Sequence, residues 1–230
     1  MPATSSKRKR SLIRRLLGWF LFLVAAFYGL ATLGFVALRW INPPFTTVHV
    51  ERRIESWFHR GAYRKRYEFV PLDSISPAFQ HAVIAAEDAR FFHHHGFDWH
   101  EVHEAVEDGL DDGKLRGAST IDEQLAKNLF LTTHRSLLRK GLEVTLVPLE
   151  ELILPKRRIL ELYLNVVEWG PGVYGAEAAA RYHYGVPASR IGRDQGARLA
   201  AILPSPRHRL PARMTRYTAR ILTRMDQMGW

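Results

Sequence analysis

The sequence predicts a mainly α-helical domain preceded by one transmembrane helix, and three observations carry that prediction. Residues 16–38 hold no charged side chain and many Leu, Phe, Val and Ala. Beyond residue 76, apolar positions recur at spacings of three and four, and runs of β-branched residues are scarce. With 230 residues, 47% hydrophobic and 24% charged, the chain has room for one anchor and one folding domain of ordinary size.

The anchor comes first. At a rise of about 1.5 Å per residue, 16–38 is long enough to cross a hydrocarbon core of roughly 30 Å. Trp19 and Trp40 stand near its two ends, as interfacial anchors do. Residues 1–15 form a basic tail with Lys7, Arg8, Lys9, Arg10, Arg14 and Arg15 and no acid. The positive-inside rule puts that tail in the cytoplasm and the chain beyond about residue 42 outside. A cleaved signal peptide has an apolar region of roughly 7–15 residues ending in a small-x-small site. This run is longer and ends in Leu38-Arg39-Trp40, so a retained anchor is expected. The net charge of +10 suits an anionic surface or ligand, and the absence of cysteine excludes disulfides and thiol catalysis.

Residues 39–75 read as a connector and lead-in. Asn42-Pro43-Pro44 is a rigid exit from the anchor, and residues 46–50 look β-like. The domain then occupies 76–230, with helical patterns over 78–89, 119–131, 136–154, 157–166, 174–184 and 195–203. Residues 107–116, with acids and glycines, read as a surface loop.

Four stretches could carry chemistry. In Glu87-Asp88-Ala89-Arg90-Phe91-Phe92-His93-His94-His95-Gly96-Phe97-Asp98, two carboxylates close an apolar helix and run into an aromatic, histidine-rich turn. A carboxylate beside such a surface loses hydration and its pKa rises toward that of a useful base; an exposed helix end is the plain alternative. A zinc site is disfavoured, because adjacent histidines diverge and His100-Glu101-Val102-His103 is one residue short of the helical zinc spacing. In the second stretch, Gly117-Ala118-Ser119 turns into a helix. Ser119 with Asp122, or Thr120 with Glu123, has capping-box spacing. Gln124, Lys127 and Asn128 share a face below the helix start, where free N–H groups and a lysine suit an oxyanion or diphosphate. Third, Arg139, Lys140 and Glu143 form either an ordinary i,i+4 pair or a cation fork beside a carboxylate. Fourth, 156–165 and 168–177 read as helix, glycine-rich turn and helix.

Taken in this order, these stretches resemble the five motifs of the glycosyltransferase family 51 domain in its monofunctional form, the peptidoglycan transglycosylases. The match rests on Glu87, Asp88, Phe91, His94, Gly96, Phe97 and Asp98, then Gly117, Ser119, Thr120, Gln124, Lys127 and Asn128. Arg139, Lys140 and Glu143 follow, then Lys156, Arg158, Glu161, Tyr163 and Asn165, and finally Tyr174, Gly175 and Glu177. Asp122 and Glu123 depart from the pattern, which has Ser or Thr and then Gln there, and add negative charge near an expected diphosphate site. Pro148 is expected to kink a helix.

The resemblance implies a lysozyme-like, two-lobed, mainly α fold with a membrane-contacting lobe. It implies polymerisation of lipid II into glycan strands, with release of undecaprenyl diphosphate, at the bacterial inner membrane. Glu87 would be the general base and Glu143 a second catalytic carboxylate that orients cations or holds a divalent ion, Mg or Mn. Asp88, His94, Ser119, Thr120, Gln124, Lys127, Asn128, Arg139 and Lys140 would bind substrate. Its expected partners are lipid II, the growing lipid-linked glycan, the membrane and proteins of cell-wall synthesis or division; no nucleic acid is expected. A lysozyme-like lytic hydrolase and a non-catalytic lipid II-binding scaffold are the alternatives.

Overall fold

A computed structural model describes residues 4–58, 63–103, 119–134 and 136–230, with side chains from residue 12 onward. The 107–116 loop, Gly117 and Ala118 lie outside the described residues.

The first helix, α1, runs Thr4–Leu38, and Leu12–Leu38 within it is long and apolar enough to cross a membrane. Its outer third is also part of the domain core. Ala31 and Phe35 are buried, and Phe35 meets Phe130 edge-on with centroids 4.8 Å apart. Tyr28 shares a 2.5 Å hydrogen bond with Thr145. The carbonyls that end an α-helix have no partner within it. Here Arg158 donates to the carbonyl oxygens of Leu38 at 2.8 Å and Ile41 at 3.1 Å, while Arg39 donates to that of Ile153 at 2.9 Å.

The next helix, α2 (Thr47–Phe58), corrects the β-like reading of 46–50. Thr46 acts as its cap: its hydroxyl accepts from the His49 amide at 3.3 Å and its carbonyl from that of Val50 at 3.1 Å. Val48 and His49 then turn inward, and Glu51 accepts from the amide and hydroxyl of Thr133. A β-branched run of so few residues is overridden by a cap and a buried face.

Two packed groups follow. One is α3 (Pro77–Glu87), started by Ser76 and Pro77, which packs on α8 (Arg193–Ala200) and α9 (Thr215–Gln227). The other is α4 (Ile121–Phe130), packed on α5 (Leu137–Ile153) and α6 (Lys156–Val166), with α1 along α5. Pro148 lies inside α5. α6 leads through β2 (Glu168–Gly170) and β3 (Val173–Tyr174) into α7 (Ala176–Tyr184). With β1 (Arg66–Tyr67) these make a small sheet in the order β1-β3-β2, β1 parallel and β2 antiparallel to β3. Asn165 clasps both backbone groups of Val70, and Glu161 accepts from the Leu72 amide. The last helix, α9, lies outside the helical patterns expected from the sequence. Thr218, Ile221 and Met225 recur at spacings of three and four there, the spacing of one buried face.

Behind α4 lies a buried acidic cluster. Asp122 accepts from the Lys156 ammonium at 3.1 Å, and Lys156 also pairs with Glu151 and sits over the Phe91 ring. Burial first, then a hydrogen bond shared with Glu151, pushes Asp122 up to about 7. Glu150 is fully buried beside them, and neither carboxyl oxygen has a hydrogen-bond partner among the described residues. Burial first, then Asp122 and Glu151, drive its pKa well above the usual carboxylate range.

Two predictions follow from this packing. An unsatisfied buried polar group costs about 1–3 kcal/mol. Replacing Glu150 with Leu should therefore stabilise the detergent-solubilised protein by roughly that amount, read as a higher Tm; a lower Tm would show that the carboxyl is bonded after all. Gly96 has φ +85°, and a Cβ there would lie 2.2 Å from Val147 Cγ1. Left-handed backbone costs an L-residue on the order of 1–2 kcal/mol before any clash. Gly96→Ala should thus lower Tm and activity together, while Gly141→Ala, in open space, should lower neither.

Candidate active site

Glu87 is the last residue of α3, and Asp88 caps it. The Asp88 carboxylate then reaches across to the start of α4. It accepts from the Ile121 amide at 3.0 Å and from His94 Nε2 at 2.9 Å. Thr120 completes the junction as N-cap: it accepts from the Glu123 amide at 3.2 Å and donates to the Gly96 carbonyl at 2.7 Å. Glu123 accepts in return from the Thr120 amide at 3.3 Å, so Thr120 and Glu123 form the capping box, the second of the two pairings that the spacing allows. The end of one helix is thereby fixed to the beginning of another.

Glu87 and Lys127 meet across that junction in a cleft of about 880 Å³. Gln124 donates to Glu87 Oε2 at 2.8 Å, and the Tyr163 hydroxyl donates to Gln124 Oε1 at 3.0 Å. The tyrosine therefore fixes which way the amide points, and the amide leaves Glu87 as acceptor. Burial raises the Glu87 pKa most and Asp88 adds to it; the Gln124 bond, Lys127 and Arg209 work the other way. Burial also lowers the pKa of Lys127, against the pull of Glu143 and Glu87. Its ammonium makes no hydrogen bond or ion pair among the described residues.

The other cations are held in place. Lys140 donates to Ser119 at 3.0 Å, to Glu123 at 3.0 Å and to Glu143 at 2.7 Å, and Arg139 pairs with Glu143 one turn on. Burial alone would lower the Lys140 pKa, but the bonds to Glu143 and Glu123 outweigh it and raise it. Of the two departures from the motif pattern, Asp122 turns away from the cleft to Lys156, and Glu123 serves the cap and Lys140.

Most of the expected site residues come together. Glu87, Asp88, Ser119, Thr120, Gln124, Lys127, Arg139, Lys140 and Glu143 line the cleft. His94 and Asn128, also expected to bind substrate, are not among the residues that line it. His94 stands behind Asp88, and Asn128 donates to the Gln124 carbonyl at 2.7 Å within α4. Both are buried groups that position the wall. The far wall was missed by sequence reasoning: Tyr217, Arg220, Arg224 and Gln227 of α9.

A metal could be held by Asp88, His94 and Asp98, whose ligand atoms lie within 4.8 Å of one another. The fit is poor. His94 Nε2 already donates to Asp88, and Asp98 accepts from the His100 and Glu101 amides. An ion ligated there by that nitrogen would have to displace the proton that joins His94 to Asp88. Glu143 is similarly engaged by Arg139 and Lys140.

Comparison with known proteins agrees with this geometry. A family model described as Transglycosylase matches residues 53–228, α9 included. A biosynthetic peptidoglycan transglycosylase of Pseudomonas entomophila is 46% identical over 223 residues, covering 95% of this chain and 93% of the relative. Those of Pseudomonas aeruginosa and Chromohalobacter salexigens are each 43% identical, covering 96% of this chain and 94% and 96% of their own lengths. The chain therefore belongs to the transglycosylase family.

Proposed function

We propose that the cleft polymerises lipid II into peptidoglycan glycan strands by inverting transfer, releasing undecaprenyl diphosphate. The observation that carries this reading is the meeting of Glu87, held as a hydrogen-bond acceptor by Gln124, with Lys127, which has no ion pair among the described residues, beside the Arg139 and Lys140 fork. The acceptor's GlcNAc 4-hydroxyl gives its proton to Glu87 as its oxygen bonds to the donor's anomeric carbon. The bond from that carbon to the diphosphate breaks, and the departing charge moves to Lys127, with Arg139 and Lys140 behind it. Glu143 keeps the two held cations in place. A lytic hydrolase has no use for such a diphosphate grip, so the cation cluster supports transfer. We assign no step to Mg or Mn.

Leu12–Leu38 serves in this reading as a single-pass anchor, with the basic tail in the cytoplasm and the domain outside the inner membrane. An enzyme held at the bilayer meets a substrate whose lipid tail never leaves it. Proteins of cell-wall synthesis or division are the partners that would share this location.

Removing a general base typically costs about 10²–10⁴-fold. Glu87→Gln should lower polymerisation of purified lipid II by at least that factor; wild-type product would end the assignment. The same variant should melt higher than wild type at neutral pH. A raised folded-state pKa means that the folded protein is penalised once pH exceeds the ordinary glutamate value, and most above the folded value. The Tm difference should accordingly shrink to nothing at pH below that of an ordinary glutamate.

The pH–rate profile should carry both shifts. Activity should appear only as pH rises through a Glu87 pKa above the usual carboxylate range. It should fall again as Lys127 loses its proton below the usual lysine value. Lys127→Met should abolish most turnover and remove the alkaline limb from what remains.

A further inference from the structure

α2 carries apolar side chains on two faces, where a helix at the surface of a globular domain needs one. Its inner face is occupied. Val48 and His49 are buried, Thr47 donates to the Leu129 carbonyl at 2.6 Å, and Arg52 pairs with Glu55 and Glu168. On the outside, Val50, Ile54, Trp57 and Phe58 recur at the spacing of one helical face. They stand in the open, Trp57 69% and Phe58 82% exposed. With Phe45 and Tyr63, the first three of them form a groove of about 420 Å³.

Arg53 and Lys65 also line this groove, and no carboxylate does among the described residues. Both cations are exposed, and neither has an ion pair among the described residues. Arg53 lies over the Tyr63 ring and Lys65 over the Tyr67 ring, 5.7 Å and 4.6 Å from the centroids. His49 adds no charge at neutral pH, because burial first, then Lys65, lowers its pKa to about 4. The groove is tied to the end of the apolar helix. Phe45 is the seventh residue after Leu38, and the carbonyls of Pro43 and Pro44 between them accept from Tyr67 at 2.5 Å and Lys65 at 3.2 Å.

An exposed apolar surface bordered by polar groups marks a binding face. Aromatic side chains beside cations suit the boundary between lipid headgroups and acyl chains. A water-soluble anion leaves the aromatic side chains wet, and a neutral apolar partner leaves Arg53 and Lys65 without counter-charge. Resting on the single-pass anchor, we infer that this groove binds an anionic glycerophospholipid of the bilayer that the anchor crosses. An acyl chain lies against Ile54 and Trp57, and the phosphate meets Arg53 and Lys65. The domain is then held to the bilayer at a point besides α1.

The test uses the full-length protein in vesicles of phosphatidylcholine and phosphatidylglycerol, without lipid II. Bromine on the acyl chains of one lipid at a time quenches the tryptophans that touch it. The Trp57 signal is that of wild type less that of Trp57→Phe. Each Lys or Arg near an anionic lipid surface is worth roughly fivefold in affinity. Brominated phosphatidylglycerol should therefore half-quench Trp57 at a mole fraction about twentyfold below that of brominated phosphatidylcholine. Arg53→Gln and Lys65→Gln should each cut that difference about fivefold, and the double variant should remove it. Equal quenching by the two lipids overturns the headgroup site. Trp19, inside the apolar helix, reports the anchor separately through Trp19→Phe. If Trp19 is quenched and Trp57 is not, the groove falls and the anchor stands. If Trp19 is not quenched by either lipid, the anchor reading falls and the groove with it.

Discussion

The site depends on one carboxylate that does no chemistry itself. Asp88 joins the end of α3 to the start of α4 through the Ile121 amide, with His94 fixing it from behind. A free amide at a helix start welcomes negative charge, and a buried carboxylate needs donors; each satisfies the other. Glu87 is covalently next to that bond and Gln124 is one turn beyond it. The distance between base and amide is thus set by a single junction. Gly96 belongs to the same constraint, since its carbonyl takes the Thr120 hydroxyl and its missing side chain lets α5 close behind.

Charge is arranged around this junction in layers. Facing the cleft, Glu87 and Lys127 are both displaced toward their neutral forms by burial, which brings the proton affinities of acid and base closer together. Beside them on the cleft wall, Arg139, Lys140 and Glu143 pair with one another, and Lys140 also with Glu123, which holds them still. Deeper again, Asp122, which departs from the motif pattern, is absorbed by Lys156 and Glu151. An added acid two residues from the helix cap therefore leaves the cleft's positive side intact, because helical spacing turns its side chain away from the face that Gln124 and Lys127 share.

Much of this was legible in the sequence, for identifiable reasons. Thr120 and Glu123 announce their cap by spacing alone, and Arg139 and Glu143 their pair. The apolar anchor needs no tertiary context. Other features were hidden because their meaning is long-range. His94 and Asn128 are polar residues of motif stretches, and only the fold shows that they bond to Asp88 and to the backbone of Gln124. The α2 helix was obscured by Thr-Thr-Val-His-Val, whose β-branched residues outweighed the Thr46 cap. The α9 wall carried a readable stripe in Thr218, Ile221 and Met225, yet nothing local indicated that Tyr217 beside it would line the cleft with Glu87. The acidic cluster at Glu150 was equally silent, since a glutamate in an amphipathic helix looks like a surface residue until its neighbours close over it.

The outer third of α1 does more than tether. Phe35 is in the core, Gly34 lets the Phe130 ring approach, and Arg158 grips the last carbonyls. With α1 packed into the domain by these contacts, the position of the cleft relative to the helix is fixed, as a lamp's is by a rigid post. Severing the chain just after Leu38 would bare a greasy socket and unseat α5, the helix that carries the cation fork. Solubility and a correctly shaped active centre are therefore opposed demands on any shortened form.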